Sequence, residues 1–135
     1  MKIKTKDLTG AALDWAVAKA DDNLHPKGDV RLLDGKVFTI EAGDYERSDR
    51  WQRYNPSTDW AQAGPIIQRE GISTRLNHKQ AQLWEAYIWL PTQHDQSEAD
   101  SNSYTAFGMT PLIAAMRCFC CSKLGDEVEV PDELL

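Results

Sequence analysis

Residues 110–125 read Thr-Pro-Leu-Ile-Ala-Ala-Met-Arg-Cys-Phe-Cys-Cys-Ser-Lys-Leu-Gly, and both ends of a helix are written into them. Thr110 supplies an N-cap oxygen. Pro111 falls at the first helical position, where a missing N–H costs nothing. Lys123 lies in the last turn, and Gly125 is the residue on which the chain leaves the helix. Leu112, Ile113, Met116, Cys120 and Leu124 make one apolar face, bordered by Ala115 and Phe119. The opposite face is Ala114, Cys118 and Cys121, small rather than charged, with Arg117 the one mid-helix charge. A helix apolar nearly all round is buried or packed on two sides.

Working outward, residues 82–90 give the strongest strand signal. Trp84, Ala86 and Ile88 alternate with Leu83, Tyr87 and Trp89, so the reading expects a strand covered on both faces. Pro91 ends it. Residues 92–103 hold almost nothing to bury and are expected to form a mobile hairpin tip, with 104–107 as the returning strand. Residues 72–76 suit another short strand. Before them, Ser57, Thr58 and Asp59 offer three N-caps for a helix that Gly71 stops, and Pro65 is expected to kink or split it. A strand at 36–40 follows a loop-like stretch, 21–36. The first helix is placed at 8–20 with Asp7 as its cap, on the stripe Leu8, Ala12, Trp15 and Ala16. After the last helix, Glu127-Val-Glu-Val suits a short edge strand or an extended tail. The class is α+β: helices on a small, mostly antiparallel sheet, an α/β sandwich. Residues 1–135 form one domain without an internal repeat.

A chain of 135 residues buries roughly two-thirds of its unfolded surface and supports one core. The formal charge is -6, unevenly placed: residues 1–67 carry ten bases and eleven acids, residues 68–135 five bases and ten acids. That balance argues against a surface for duplex nucleic acid. The acids Asp126, Glu127, Glu129, Asp132 and Glu133 crowd the C-terminal segment 126–135, which reads as a solvated edge or a docking segment for a basic partner. No apolar run approaches the roughly 20 residues of a spanning helix, so no membrane association is expected. No signal-peptide pattern opens the chain, and a cytoplasmic location is expected. Cys118, Cys120 and Cys121 are an odd, tight cluster. They read as buried thiols in a reducing compartment rather than a disulfide framework. His25, His78 and His94 are scattered in polar sequence, so no zinc site is expected.

Candidate sites weigh differently. Arg47, Arg50, Trp51, Arg53 and Tyr54 interleave guanidinium groups with flat rings, which suits a phosphate and a stacked base. Asp44, Glu46 and Asp49 cancel the local charge, and a solvated loop edge is the favoured alternative. Tyr54, Ser57, Thr58 and Trp60 surround a helix start, an anion site in form. An ordinary N-cap cluster has the same sequence. Arg117 is expected to pair with a carboxylate or reach water. The Ala114, Cys118 and Cys121 face is expected to receive the first helix, with a homodimer contact as the alternative. No Walker motif, dinucleotide fingerprint, Gly-x-Ser-x-Gly elbow or His-Glu-x-x-His is present, so neither catalysis nor a cofactor is expected.

Four blocks carry a family resemblance. They are residues 8–20 (Leu-Thr-Gly-Ala-Ala-Leu-Asp-Trp-Ala-Val-Ala-Lys-Ala), 54–67 (Tyr-Asn-Pro-Ser-Thr-Asp-Trp-Ala-Gln-Ala-Gly-Pro-Ile-Ile), 110–118 and 122–131. In this order, across nearly the whole chain, they resemble the NinX-like proteins of lambdoid phages and prophages. The layout of an N-terminal helix, a Tyr-x-x-Ser-Thr-Asp helix start, a Trp-x-Ala strand and a Thr-Pro helix is also similar to phage α-β-α sandwich domains. The resemblance implies a small accessory protein made in the cytoplasm of a bacterial host. It implies no catalytic residues. The chain departs from the family pattern at Cys120 and Cys121, where Val or Ala is more usual. The leading expectation is a non-enzymatic binder of a host or phage protein. A module for a small anionic ligand or nucleotide, and an acidic DNA mimic, are the alternatives.

Overall fold

The computed structural model describes residues 1–21, 30–40, 51–79, 83–89 and 103–135, without the side chains of Trp89 and Ser103. The expected mobile loop at 92–103 lies outside the described residues up to 102, as do Arg47 and Arg50.

The elements run β1 (Lys2–Lys4), a 3₁₀ turn (Thr5–Asp7), α1 (Gly10–Ala20), β2 (Val30–Leu33), β3 (Lys36–Thr39), β4 (Gln52–Arg53) and α2 (Trp60–Glu70). Then follow β5 (Ile72–Leu76), β6 (Trp84–Trp89), β7 (Ser103–Gly108), α3 (Pro111–Leu124), β8 (Glu127–Glu129) and a 3₁₀ turn (Asp132–Leu134). The class is α+β, and every strand pair is antiparallel.

α3 is the centre. Thr110 Oγ1 accepts the Ile113 N–H at 3.1 Å, Pro111 opens the helix, and Gly125 leaves it at φ 84°. One side of α3 packs on the sheet β5-β6-β7, and another receives α1 and α2. Ala114, Ala115, Met116, Cys118, Phe119 and Cys120 lose all solvent contact between these layers. α1 in turn packs against β3, and Leu13, Ala16 and Val17 are fully buried.

The strands form three small sheets rather than the single one expected: β1-β8, β2-β3-β4 and β5-β6-β7. A helix apolar on all sides requires cover on opposite flanks, and one sheet reaches only one of them. The strand expected at 36–40 is β3, whereas β2 falls in the stretch 21–36 that reads as loop. The turn of the β2–β3 hairpin is Asp34-Gly35, with φ 51° and 70°, the positive pair that a two-residue hairpin needs. The first helix starts at Gly10 after Thr9, not after Asp7, because Thr5–Asp7 form a 3₁₀ turn that tucks Leu8 into the core. α2 is one unbroken helix. Asp59 is its cap, through a 2.9 Å bond from Ala61 N–H, and Pro65 sits on its exposed side. Residues 127–129 are a strand after all: Lys2 stands opposite Glu129 and Lys4 opposite Glu127.

β6 is covered on one face, not two. Ala86 and Ile88 are buried against α3, while Glu85 and Tyr87 on the other face are half-buried. Arg75 on β5 bonds Glu85 at 2.8 Å and stacks over the Tyr87 ring at 5.3 Å. The outer face of this sheet is therefore open to solvent at Arg75, Thr105 and Phe107. No helix among the described residues is long and apolar enough to cross a membrane.

Candidate functional site

The turn before α2 divides the residues that sequence places together. Gln62 reaches back from the first turn of α2. Its Nε2 donates to the Arg53 carbonyl and its Oε1 accepts the Asn55 N–H, both at 2.7 Å. This clamp turns Tyr54 and Ser57 inward, where both are buried, and leaves Arg53, Thr58 and Trp60 exposed. Thr58 bonds Asn55 within the turn. Trp51 is half-buried beneath the guanidinium of Arg31, 4.6 Å from its ring centre. Among the described residues, Tyr54 and Ser57 are thus buried while Arg53, Thr58 and Trp60 stay at the surface, and Arg50 lies outside the described residues.

What lies inward is a polar junction that sequence reasoning missed. Asp14 on α1 is buried, and its Oδ1 accepts the Ser57 N–H at 2.9 Å. Asp21 at the end of α1 is buried and accepts from Arg69 Nη2 at 2.9 Å. The Tyr54 hydroxyl is buried with no hydrogen-bond partner among the described residues, and the buried Ser57 hydroxyl lies near the Asp14 carboxylate. Burial and the nearby Asp21 and Asp14 push the Tyr54 phenol far above its usual range, so it stays protonated. The available signal was one acid, Asp14, within an otherwise apolar helical stripe.

Burial raises the Asp14 pKa above 3.8, and the Ser57 N–H opposes that rise. A raised carboxylate pKa means the unfolded chain releases the proton first. Asp14 therefore costs stability as pH climbs from below 3.8 through its folded value. Asp14→Asn keeps an acceptor for Ser57 and carries no charge. We predict that its stability relative to the parent improves between about pH 3 and pH 7 in denaturant titrations. An unchanged difference across that range contradicts the assignment.

Arg117 bonds carbonyls, not a carboxylate. Its Nε donates to Leu8 O and its Nη1 to Phe107 O, each at 2.8 Å, which ties the approach to α1 to the end of β7. The small face of α3 receives the sheet rather than α1. Cys118 Sγ donates to the Tyr104 carbonyl at 3.2 Å, and Gly108 lies against Ile113 and Ala114. Cys118 has no exposed surface and is not open to a second chain. Burial pushes its thiol up to about 12, and raises Cys120 and Cys121 as well. Cys121 alone of the three is partly exposed. Among the described residues no group of three His, Cys, Asp or Glu side chains is placed to hold a metal ion.

Two clefts adjoin along β7. One, about 630 Å³, lies between β7 and the β1-β8 sheet, with Lys4, Lys6, Thr105, Cys121, Asp126 and Glu127 in its walls. The other, about 370 Å³, continues past Thr105 to Phe107, Met109, Leu83 and Arg117, with Lys6 and Asp7 at its rim. Phe107 is 45% exposed and Met109 65%, two neighbouring apolar side chains at the mouth of the second cleft. An anion in the first cleft would meet Lys4 and Lys6, but Asp126 and Glu127 in the same walls oppose it.

The acidic C-terminal segment has basic partners inside the chain. Glu129 accepts from the N-terminal amine at 2.7 Å, and Asp132 stands 3.6 Å from it. With Lys2 and Lys4 across from Glu129 and Glu127, the carboxylates alternate with cations rather than forming an all-acidic array.

Against this geometry, a family model described as Bacteriophage P22, NinX matches residues 4–123. That span runs from the last residue of β1 to the last turn of α3 and includes β7. A comparison with curated proteins gave no match.

Proposed function

The chain belongs to the Bacteriophage P22 NinX family, a phage accessory protein by that membership, and from this premise we propose that it acts without catalysis by binding a host or phage protein. The observation that carries the reading is the exposed pair Phe107 and Met109 beside the β7 clefts. Exposed apolar side chains grouped at a concave, polar-rimmed edge are the usual marks of a protein contact. Asp14, Tyr54 and Ser57, by contrast, are buried and form no part of this surface.

The test uses affinity capture of the full chain from phage-infected cells beside the double variant Phe107→Ser/Met109→Ser. Both side chains are exposed, so the fold is expected to survive. The expected result is a partner retained by the parent and reduced at least about tenfold by the variant, as for removal of central contact residues. Equal capture by both proteins contradicts the reading.

A further inference from the structure

We propose that the free edge of β7 takes up an extended peptide segment of the partner, apolar with an acidic residue at its Phe107 end, as a fourth strand of the β5-β6-β7 sheet. The inference rests on the partner-binding reading above and specifies its mode.

β7 pairs with β6 along one edge, and among the described residues no strand pairs with its other edge. Which backbone groups face outward follows from two contacts. Tyr104 stands opposite Ile88, and Cys118 Sγ lies beneath that pair, near the Ile88 N–H and 3.2 Å from the Tyr104 carbonyl. Arg117 Nη1 takes the Phe107 carbonyl at 2.8 Å from outside the ladder. In an antiparallel pair, residues alternate between bonding their partner strand and pointing away from it. Phe107 therefore belongs to the outward set, and Thr105, two residues before it, belongs there too.

Thr105 presents both its N–H and its C=O to the edge, and it lies where the two clefts meet. Edge strands are normally protected by charge, bulges or a covering segment. Here the gap beside the edge is a pair of continuous clefts, which gives room for an extended chain between β7 and the β1-β8 sheet. Arg117 occupies one carbonyl and so marks where the added ladder ends.

The walls set the composition. Phe107 and Met109 offer an apolar contact to alternate side chains of an added strand. At the Phe107 end the charged lining is Lys6, Arg117 and Asp7, which favours one acidic residue there, whereas Asp126 and Glu127 disfavour acids along the adjoining cleft. Strand addition gains affinity from backbone hydrogen bonds and specificity from alternate side chains, so both halves of the recognition are present.

The experiment selects binders to the full chain from a displayed library of random twelve-residue peptides. One winner is synthesised with capped ends and titrated into isotope-labelled protein. Amide exchange at Thr105 is expected to be fast in the free protein and to slow at least tenfold with peptide. N-methylating alternate peptide amides, the ones facing β7, should weaken binding at least tenfold, whereas N-methylating the intervening ones should not. Thr105→Pro, which removes the edge donor, should lose the peptide. Lys6→Glu, which leaves the strand untouched, should weaken it at least threefold.

Failure to select a peptide, unchanged exchange at Thr105, or indifference to N-methylation overturns strand addition. So does protection of Thr105 that rises with protein concentration alone, which would assign the edge to a second copy of this chain. If a folded partner still depends on Phe107 and Met109 in those cases, the partner-binding reading stands without this mode. If capture ignores both residues, the reading beneath it falls.

Discussion

Phe119→Ala is expected to destabilise the protein by about 3–5 kcal/mol, the range for truncating a fully buried aromatic side chain. Phe119 has no exposed surface and is the largest fully buried side chain among the described residues. It lies on α3, between the β5-β6-β7 sheet on one side and α1 and α2 on the other. Its loss removes contacts to more than one layer, and the capped ends of α3 restrict the collapse that would fill the void. Chemical denaturation with matched slopes measures the change. A cost below about 1 kcal/mol would mean that α3 is not the packing centre.

Gly108→Val is the second large effect. A Cβ added at Gly108 stands 2.6 Å from the Ala114 backbone nitrogen and 2.8 Å from Ile113 Cγ2. Backbone on that side cannot rotate away, because the Thr110 cap and Pro111 fix the first turn of α3. We expect Gly108→Ala to cost about 1–3 kcal/mol and Gly108→Val more, enough to prevent folding if the parent is marginal. Gly64 is the contrast. It lies within α2, and an added Cβ meets nothing within 4 Å. Gly64→Ala should therefore stabilise by about 0.5–1 kcal/mol through helix propensity. Thermal unfolding of the three variants gives the ranking directly. Equal effects at positions 108 and 64 would contradict the close seating of α3 on β7.

These expectations rest on parts of the fold that sequence makes legible. Thr110-Pro111 and Gly125 fix α3 through local backbone chemistry, and the structure places both ends where that chemistry puts them. Asp59 and Gly71 do the same for α2. The misses have different causes, and the first depends on a pairing partner far away in the chain. Lys2–Lys4 is too short to read as a strand until Glu127–Glu129, more than a hundred residues on, lies beside it with opposite charge. The strand at 36–40 was legible, but its hairpin partner Val30–Leu33, with Arg31 among apolar residues, alternates only weakly. The open outer face of β6 was misread because Tyr87 is apolar by type. Its ring lies under Arg75 instead of under another layer.

The candidate site was less legible still. Tyr54 and Ser57 were grouped with Arg53 and Trp60 by adjacency, yet the Gln62 clamp sends the two pairs to opposite sides. Phe107 was read only as the end of a returning strand, with no face assigned to it. Its exposure follows from the register with Glu85, which puts it on the uncovered face. Arg117 was singled out correctly as unusual, but its partners are carbonyls of Leu8 and Phe107 that no sequence spacing brings near.

The proposed working surface is the β7 edge around Phe107. The most direct measurement installs a photo-crosslinking phenylalanine analogue at position 107 in one protein and at position 60 in another. Trp60 is 59% exposed and lies on α2, so it controls for surface exposure alone. Both proteins are irradiated in phage-infected cells and the adducts are identified by mass. A single discrete protein adduct from position 107, absent from position 60, is the predicted result. The same adduct from position 60 with none from position 107, or no adduct from either, would contradict it.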